Sequence, residues 1–556
     1  MRTTAIPRVV RRSGTTMTAG SCMQLVRRGE ARVGELLRRV EEAAGAMPWP
    51  LRVAAIDVGS NAIRFVAAEF LSGQTYTVLD EERAAVRLGH GVFLSGRLAP
   101  SAMDRAVEAL VSFASRMRAA GVTYYRAVAT SAVREARNGE ELLERIRAEA
   151  GLELEVIGGS DEARLVYLAV RRVVPLEGRE WILVDLGGGS VEVSLVDDSG
   201  ILWSESHTMG SVRLLEELSE VGQEPGRFRR LLEEYIATLR LPPAAHYRST
   251  VGLVATGGNI ESLARLTGVD TTERGFGVLP VRRLQAVIET LSRMSYAQRV
   301  AELGLREDRA DVVLPAALVY LRFAQLAGAA EIHVPFVGIR EGVLFDAVEA
   351  LTTKPAHVDR HKQELVAAAV AVGRRFMFDE SHARQVCAHA LSLFDQLVAV
   401  HGLGAGERQV LLAAALLHDI GAYISYKKHH KHSMYLIDHS ELPGLSGRAL
   451  HLAAVVARYH RRSEPADRHP EYSTLPARDQ ETVTRLAALL RLADALDREH
   501  RENVKAIHAR VEAGVLHLRV VGDGDLYLEK WALERKSQLF KRAFKLALKV
   551  HNGTSG

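Results

Sequence analysis

Val53-Ala54-Ala55-Ile56, followed by Asp57-Val58-Gly59-Ser60-Asn61, is the stretch from which the fold of this 556-residue chain is read. A short apolar run ends on an acid and a Gly/Ser turn. Ile63-Arg64-Phe65-Val66-Ala67 then resumes the apolar pattern, so the segment reads as strand, tight turn, strand. About one domain length downstream the pattern returns. Trp181-Ile182-Leu183-Val184 leads into Asp185-Leu186-Gly187-Gly188-Gly189-Ser190 and then Val191-Glu192-Val193-Ser194-Leu195-Val196. Two such hairpins predict a duplicated α/β unit. Helical stretches (Ser101 to Ala120, Gly139 to Ala150) and short strands (Tyr124 to Ala129, Leu154 to Ile157) alternate between them, as layered α/β architecture requires.

A third turn of this kind lies further on. Val251-Gly252-Leu253-Val254-Ala255 leads into Thr256-Gly257-Gly258-Asn259 and a helix-like Ile260 to Leu266. Glu331-Ile332-His333-Val334 precedes Gly338-Ile339-Arg340-Glu341-Gly342, and Thr352-Thr353-Lys354-Pro355 reads as a linker. Almost everything from there to His508 has helical spacing. Val515 to Val521 and Leu526 to Leu528 look β-like, and a basic amphipathic helix, Trp531 to Val550, closes the chain. The expected organisation is therefore an Arg-rich extension (1–46), α/β lobe I (47–172), α/β lobe II (173–352), a helical domain (353–510), and a strand plus basic helix (511–556). Through Arg28 the extension carries six arginines and no acid, and it lacks the apolar core of a secretory signal. It reads as a segment outside the fold, or as sequence ahead of a start near Met47; an organellar transit peptide is the weaker alternative.

Composition narrows the class. Hydrophobic residues at 47% and charged residues at 25% exclude a mainly disordered, collagen-like or disulfide-stapled protein. Lys+Arg 72 against Asp+Glu 68 leaves a net charge of +4, too small a field to demand nucleic acid or anionic lipid as partner. Two distant cysteines, Cys22 and Cys387, fit a reducing compartment, so a cytoplasmic location is expected. No apolar run of about 18 residues occurs, and no membrane partner is expected.

The chemistry lies in the turns. A Gly/Ser-rich turn after a strand presents several backbone N–H groups to one anion, with no side chain in the way. Here the candidates are Gly59, Ser60 and Asn61; Gly187, Gly188, Gly189 and Ser190; and Thr256, Gly257 and Gly258. Asp57 and Asp185, at the strand ends, are placed to hold Mg²⁺ while the amides hold phosphate oxygens. Together the three turns predict a cleft between two lobes that grips a polyanion.

These turns resemble the phosphate and nucleotide loops of the actin-like ATPase superfamily, whose lobes have a ribonuclease H-like fold. Within it, the chain most resembles the exopolyphosphatase and guanosine-pentaphosphate phosphohydrolase (Ppx/GppA) family. Four further segments carry that resemblance: Ala129-Thr130-Ser131-Ala132-Val133-Arg134-Glu135-Ala136, Gly159-Ser160-Asp161-Glu162-Ala163-Arg164, Gly189-Ser190-Val191-Glu192, and Gly338-Ile339-Arg340-Glu341-Gly342. The likeness runs over about residues 50 to 500. Ala62 departs from it, where many relatives carry a hydroxyl. The resemblance implies Mg²⁺-dependent hydrolysis of a terminal phosphoanhydride, of inorganic polyphosphate or of guanosine pentaphosphate, by a homodimer. A nucleotide-binding regulator with vestigial turnover is the non-enzymatic alternative. Glu162 matches the proposed catalytic base, Asp185 the Mg²⁺ ligand with Glu192 beside it, and Arg134 a phosphate contact.

The helical half has its own constellation. His382, His418-Asp419 and Asp494 follow the His … His-Asp … Asp order of the HD phosphohydrolase superfamily, which they resemble. That resemblance implies a second divalent ion, such as Mn²⁺, Fe²⁺ or Zn²⁺, because imidazole and carboxylate together favour a transition ion over Mg²⁺. His429, His430, His432 and His460 are further candidates. The terminal helix carries Lys530, Arg535, Lys536, Lys541, Arg542, Lys545 and Lys549 beside an apolar stripe, and docking on the body with the charges in solvent is its expected state.

Overall fold

The computed structural model describes residues 49–219, 225–241, 251–269, 275–352, 354–445, 447–523 and 526–553. The extension 1–46, with Cys22, and Met47 lie outside the described residues.

The first hairpin is β1 (Leu51–Val58) with β2 (Ile63–Phe70), extended by β3 (Tyr76–Ala84). β4 (Tyr124–Ala129) and β5 (Glu155–Val156) add in parallel on the other side of β1, giving the order β3-β2-β1-β4-β5. The second sheet holds β6 (Trp181–Leu186), β7 (Val191–Val196), β8 (Ile201–His207), β9 (Gly252–Thr256), β10 (Gly277–Pro280) and β11 (Glu331–Val334), in the order β10-β11-β9-β6-β7-β8. Without its antiparallel edge strand β10, it repeats the first sheet strand for strand. Asp57 and Asp185 occupy the same place in the repeat, one residue before the ends of β1 and β6. Every residue of β6 and β7 is buried; β6 accordingly reads as an apolar run, whereas β7 alternates and buries the polar Glu192 and Ser194 as well.

Three helices reach the cleft, α1 (Gly159–Val170), α2 (Gly258–Leu266) and α4 (Ile339–Thr352), while α3 (Val313–Ala327) stands behind it, its Tyr320 hydroxyl donating to Thr256 O. All of α1 is buried. Counted with lobe II in the sequence, α4 instead crosses back to lobe I, where Val343, Leu344 and Val348 pack with Val53, Val66, Phe70 and Leu165. A boundary drawn by chain position at 172 therefore separates α4 from the lobe I core that it completes. The supposed linker is helical on both sides, with α4 ending at Thr352 and another helix spanning Lys354–Arg375, while Thr353 lies outside the described residues.

In the helical domain, α5 (Glu380–Gln396), α6 (Ala405–Leu417), α7 (His429–Asp438), α8 (Arg448–Arg458) and α9 (Ala477–Ala495) come before a three-stranded sheet. That sheet is β12 (Val504–Glu512), β13 (Val515–Gly522) and β14 (Ala547–Gly553), with α10 (Tyr527–Phe544) leading into β14. Three expectations are corrected. The helical run stops at Ala495, since Val504–Glu512 pairs with β13. Leu526 caps α10 instead of belonging to a strand. The terminal helix ends at Phe544, where Lys545 turns left-handed at φ 58; Ala547–Gly553 then pairs with β13, with exposed and half-buried residues alternating from Ala547 to His551. The boundary expected at 510 falls inside β12, and Leu516, Leu533 and Phe540 share one core with α5, α6 and α9. No helix among the described residues is long and apolar enough to cross a membrane.

Candidate active site in the cleft between the lobes

Both hairpin turns close with the same hydrogen bond. Gly59 N–H donates to Ala62 O at 3.1 Å, and Gly187 N–H to Ser190 O at 3.0 Å. Across the ladder Asp57 faces Arg64, and Asp185 faces Glu192. One position of the repeat thus carries a cation in lobe I and a carboxylate in lobe II. The lobes meet closely at the turns, since a Cβ on Gly188 would lie 2.8 Å from Ser60 Cβ. In the third turn Gly257 has φ +100, and a Cβ there would lie 2.7 Å from Leu186 O. Only glycine fits both demands.

The cleft so formed has a volume of about 520 Å³. Of the residues expected there, Asp57, Gly59, Ser60, Asn61, Glu162, Asp185, Gly187, Gly188, Ser190, Gly257 and Gly258 line it. Four others stand behind the wall. Thr256 Oγ1 donates to Asp185 Oδ1 at 2.6 Å, Gly189 O accepts from Arg213 Nε at 2.8 Å, and Glu192 Oε1 accepts from Ser206 Oγ at 3.0 Å. Arg134 Nη1 donates to Glu162 Oε1 at 2.6 Å and to Ile157 O at 2.6 Å. Arg134, expected on phosphate, is thus paired with Glu162 and does not line the cleft. Its neighbour Glu135 pairs elsewhere, with Arg213.

Glu162 sits in the first turn of α1, where an acid is favoured by the helix dipole. The helical domain buttresses this helix end, because Gly444 N–H donates to Asp161 Oδ1 at 2.9 Å. A Cβ on Gly159 would meet Ser206 Cβ at 2.8 Å and Glu441 Oε2 at 3.1 Å, so β8 and the helical domain both press on the turn that carries Glu162.

The guanidiniums of the cleft were missed. Arg64, Arg83, Arg265, Arg306, Arg309 and Arg340 all line it. Arg309 Nη1 donates to Asn259 Oδ1 at 3.0 Å. Burial, with Arg64 and Arg83 close by, pushes Arg309 down to about 9, the signature of cations crowded together. The sequence held one clue, as Arg64 occupies the position that Glu192 occupies in the second hairpin. Arg309 belongs to no motif and is delivered by the tertiary fold alone.

The acids are crowded as well. Burial, aided by Asp185 and Glu341, raises Asp57 to about 6. Burial, then Asp185 and Asp57, raises Glu162 to about 7 against the opposing pull of Arg134. Asp185 is also raised by burial, and Glu192 rises well above the carboxylate range through burial and its neighbours Glu162 and Asp185. Asp57 Oδ1 and Glu192 Oε2 are buried without a hydrogen-bond partner. Orphaned carboxylate oxygens that repel one another fit a hard divalent cation with oxygen ligands.

A stability test follows. A carboxyl raised by folding contributes stability that is present below its unfolded value, about 4, and is lost as pH rises through its folded value. For Asp57 and Glu162 that loss begins at about pH 4 and is complete near pH 6 to 7. The Mg²⁺-induced rise in thermal midpoint should therefore be larger at pH 8 than at pH 5, as read by differential scanning fluorimetry. An equal rise at both would contradict a Mg²⁺ site on these acids.

The sequence profile of the Ppx/GppA phosphatase family matches residues 66–351, which contain most of both lobes. The chain belongs to the Ppx/GppA phosphatase family. A second profile, Ppx/GppA phosphatase domain III, matches residues 366–540. Exopolyphosphatase 1 of Mycobacterium tuberculosis is 30% identical over 307 residues, covering 54% of this chain and 89% of that protein. The guanosine-5'-triphosphate,3'-diphosphate pyrophosphatase of Vibrio atlanticus is 28% identical over 465 residues, covering 82% of this chain and 88% of that protein. The crystal structure of an exopolyphosphatase from Cytophaga hutchinsonii superposes with a TM-score of 0.50 at 27% identity, covering 54% of this chain and 98% of that one.

In this Ppx/GppA chain the domain III segment assembles the second constellation. His382, His418 and Asp419 bring ligand atoms within 4.8 Å of one another, and Asp419 does the same with His429 and His460. Asp494 stands at the edge, its Oδ1 3.8 Å from His382 Nε2 and its Oδ2 ion-paired with Lys536. His430 and His432 belong to neither group.

Proposed function

We propose that the chain is a Mg²⁺-dependent phosphohydrolase that removes the terminal phosphate of inorganic polyphosphate. The carrying observation is the buried Glu162, held through Oε1 by Arg134, in a cleft walled by guanidiniums and three glycine turns. In this reading the turn amides and Arg64, Arg309 and Arg340 bind and orient the terminal phosphates, each guanidinium matching phosphate oxygens in a planar fork. Glu162, with one oxygen fixed, orients water for in-line attack and takes its proton. Asp57 and Asp185 would hold Mg²⁺, with Glu192 behind them, and the ion would neutralise charge on the phosphates. Ala62 in place of a hydroxyl leaves the first turn intact, because its backbone oxygen makes the closing bond.

Guanosine pentaphosphate is the second reading, favoured because the Vibrio relative matches 82% of the chain, domain III included. The test is orthophosphate release from long-chain polyphosphate and from guanosine pentaphosphate, side by side with Mg²⁺. A higher kcat/KM on polyphosphate is expected, and a higher value on guanosine pentaphosphate would overturn the first reading in favour of the second.

A further inference from the structure

The helix that carries Glu162 begins without a cap of its own. Its N-cap is Gly158, in extended backbone, and no side chain caps it from within lobe I's own turn. The first bond inside α1 runs from Glu162 N–H to Gly158 O at 3.0 Å. The N–H groups of Gly159, Ser160 and Asp161 therefore have no partner within the helix, and all three residues are buried. A buried helix start in that state draws its acceptors from elsewhere.

The helical domain supplies one. Between α7 and α8 the chain forms a short prong at residues 440–445. Leu442 and Leu445 plug it into the helical core, and Leu445 N–H donates to Leu442 O at 3.0 Å. Gly444 turns left-handed at φ +76, with open space where its Cβ would stand. Anchored in this way, the prong brings Glu441 and Gly444 against the start of α1. Ser160 N–H bonds the Glu441 carboxylate, whose Oε2 lies 3.1 Å from the Cβ position of Gly159. In return, Gly444 N–H donates to Asp161 Oδ1 at 2.9 Å.

This is a capping box with its partners exchanged. In the ordinary box the N-cap side chain accepts from the first turn, and an acid three residues on accepts from the N-cap N–H. Here Asp161 is that acid, three residues after Gly158, and both of its counterparts, Glu441 and Gly444, belong to another domain. Glu441 also faces the Arg134 guanidinium, with Asp161 and Glu205 as like-charged neighbours. Arg134 Nη1 in turn donates to Ile157 O at 2.6 Å, so the turn 157–162 is gripped from lobe I on one side and from the prong on the other.

We propose that Glu441, together with Gly444, caps α1 across the domain boundary and is a positioning residue for Glu162, so that the helical domain sets the turnover of a cleft it does not line. The proposal rests on Glu162 as the base. Arg134 fixes Oε1 of that carboxylate, and the aim of Oε2 follows the start of the helix. The Glu441 charge also complements the positive end of the helix dipole. A first turn released from its cap frays and tilts the base, and a misplacement of about 1 Å can cost about 100-fold in rate. The glycine turns and guanidiniums that bind phosphate sit on other elements, so substrate affinity should not follow.

The test is a double-mutant cycle of Glu441→Ala and Glu162→Gln in the full chain. Steady-state kinetics are read with Mg²⁺ on whichever of polyphosphate and guanosine pentaphosphate is turned over faster. Glu441→Ala should lower kcat at least about 10-fold and leave KM within about twofold. Glu441→Gln, whose amide oxygen still accepts from Ser160 N–H, should stay within about threefold of the wild type. In the Glu162→Gln background, Glu441→Ala should lower the residual rate less than about twofold, because the group it aims is already disabled. General damage to the fold would instead lower both backgrounds by one factor. Equal losses in the two backgrounds, a change confined to KM, or wild-type kcat in Glu441→Ala would overturn the proposal and leave Glu162 as the base. Wild-type turnover in Glu162→Gln would remove the base, and the proposal with it.

Discussion

Replacing Glu162 by glutamine should lower phosphate release from polyphosphate by about 10²–10⁴-fold and leave substrate binding within a few-fold of the wild type. The amide keeps the size of the side chain and still accepts the hydrogen bond from Arg134 Nη1, so the loop geometry survives. What it loses is the capacity to take a proton. Arg134→Ala tests the same unit from behind. Because Arg134 holds the base without lining the cleft, it should lower kcat more than it raises KM, whereas a direct phosphate contact would chiefly raise KM. Arg134→Lys restores a charge but not the planar fork, and partial rescue is expected. Steady-state kinetics on the three variants distinguish the roles.

Gly342→Val carries the second large effect, this time on the fold. Gly342 lies on α4 where it crosses α1, and a Cβ there would collide with the backbone oxygen of Leu165. Backbone cannot step aside as a flexible side chain can, so the helices must part. Overpacking of this kind costs about 3 kcal/mol or more. The thermal midpoint should drop by several degrees, and turnover should fall with it, since α1 carries Glu162. Gly406→Ala is the control. Nothing lies within 4 Å of its Cβ position, so the midpoint should hold or rise slightly. Equal midpoints for the two variants would contradict the packing account of Gly342.

The duplicated sheet was legible because Asp57 and Asp185 end two similar apolar runs, and strand pairing reproduces that repeat in the same order. Local pattern also located the turns, since glycine at a strand end is a short-range signal. Long-range contacts were not legible. The return of α4 to lobe I depends on Val343 and Val348 finding the face of β1, and an amphipathic stripe does not name its partner. Arg134 and Arg309 show the same limit in the site. Guanidinium chemistry suits phosphate and carboxylate alike, and only the fold places Arg134 on Glu162 and Arg309 in the cleft. The terminal segment misled for a different reason. Ala547 to Val550 continues a basic helical pattern, but a left-handed Lys545 breaks it and β13 offers an open edge. His429 and His460 were visible as residues, and their convergence on Asp419 came only with the bundle.

In the proposed mechanism the cleft around Glu162 directs water onto the terminal phosphorus. The most direct measurement is a single turnover on polyphosphate in ¹⁸O-labelled water with Mg²⁺, for the wild type and Glu162→Gln together. The expected result is one labelled oxygen in each orthophosphate released by the wild type, none retained by the shortened chain, and a release rate about 10²–10⁴-fold lower in the variant. Label left on the shortened chain, or a variant that releases labelled phosphate at the wild-type rate, would contradict it.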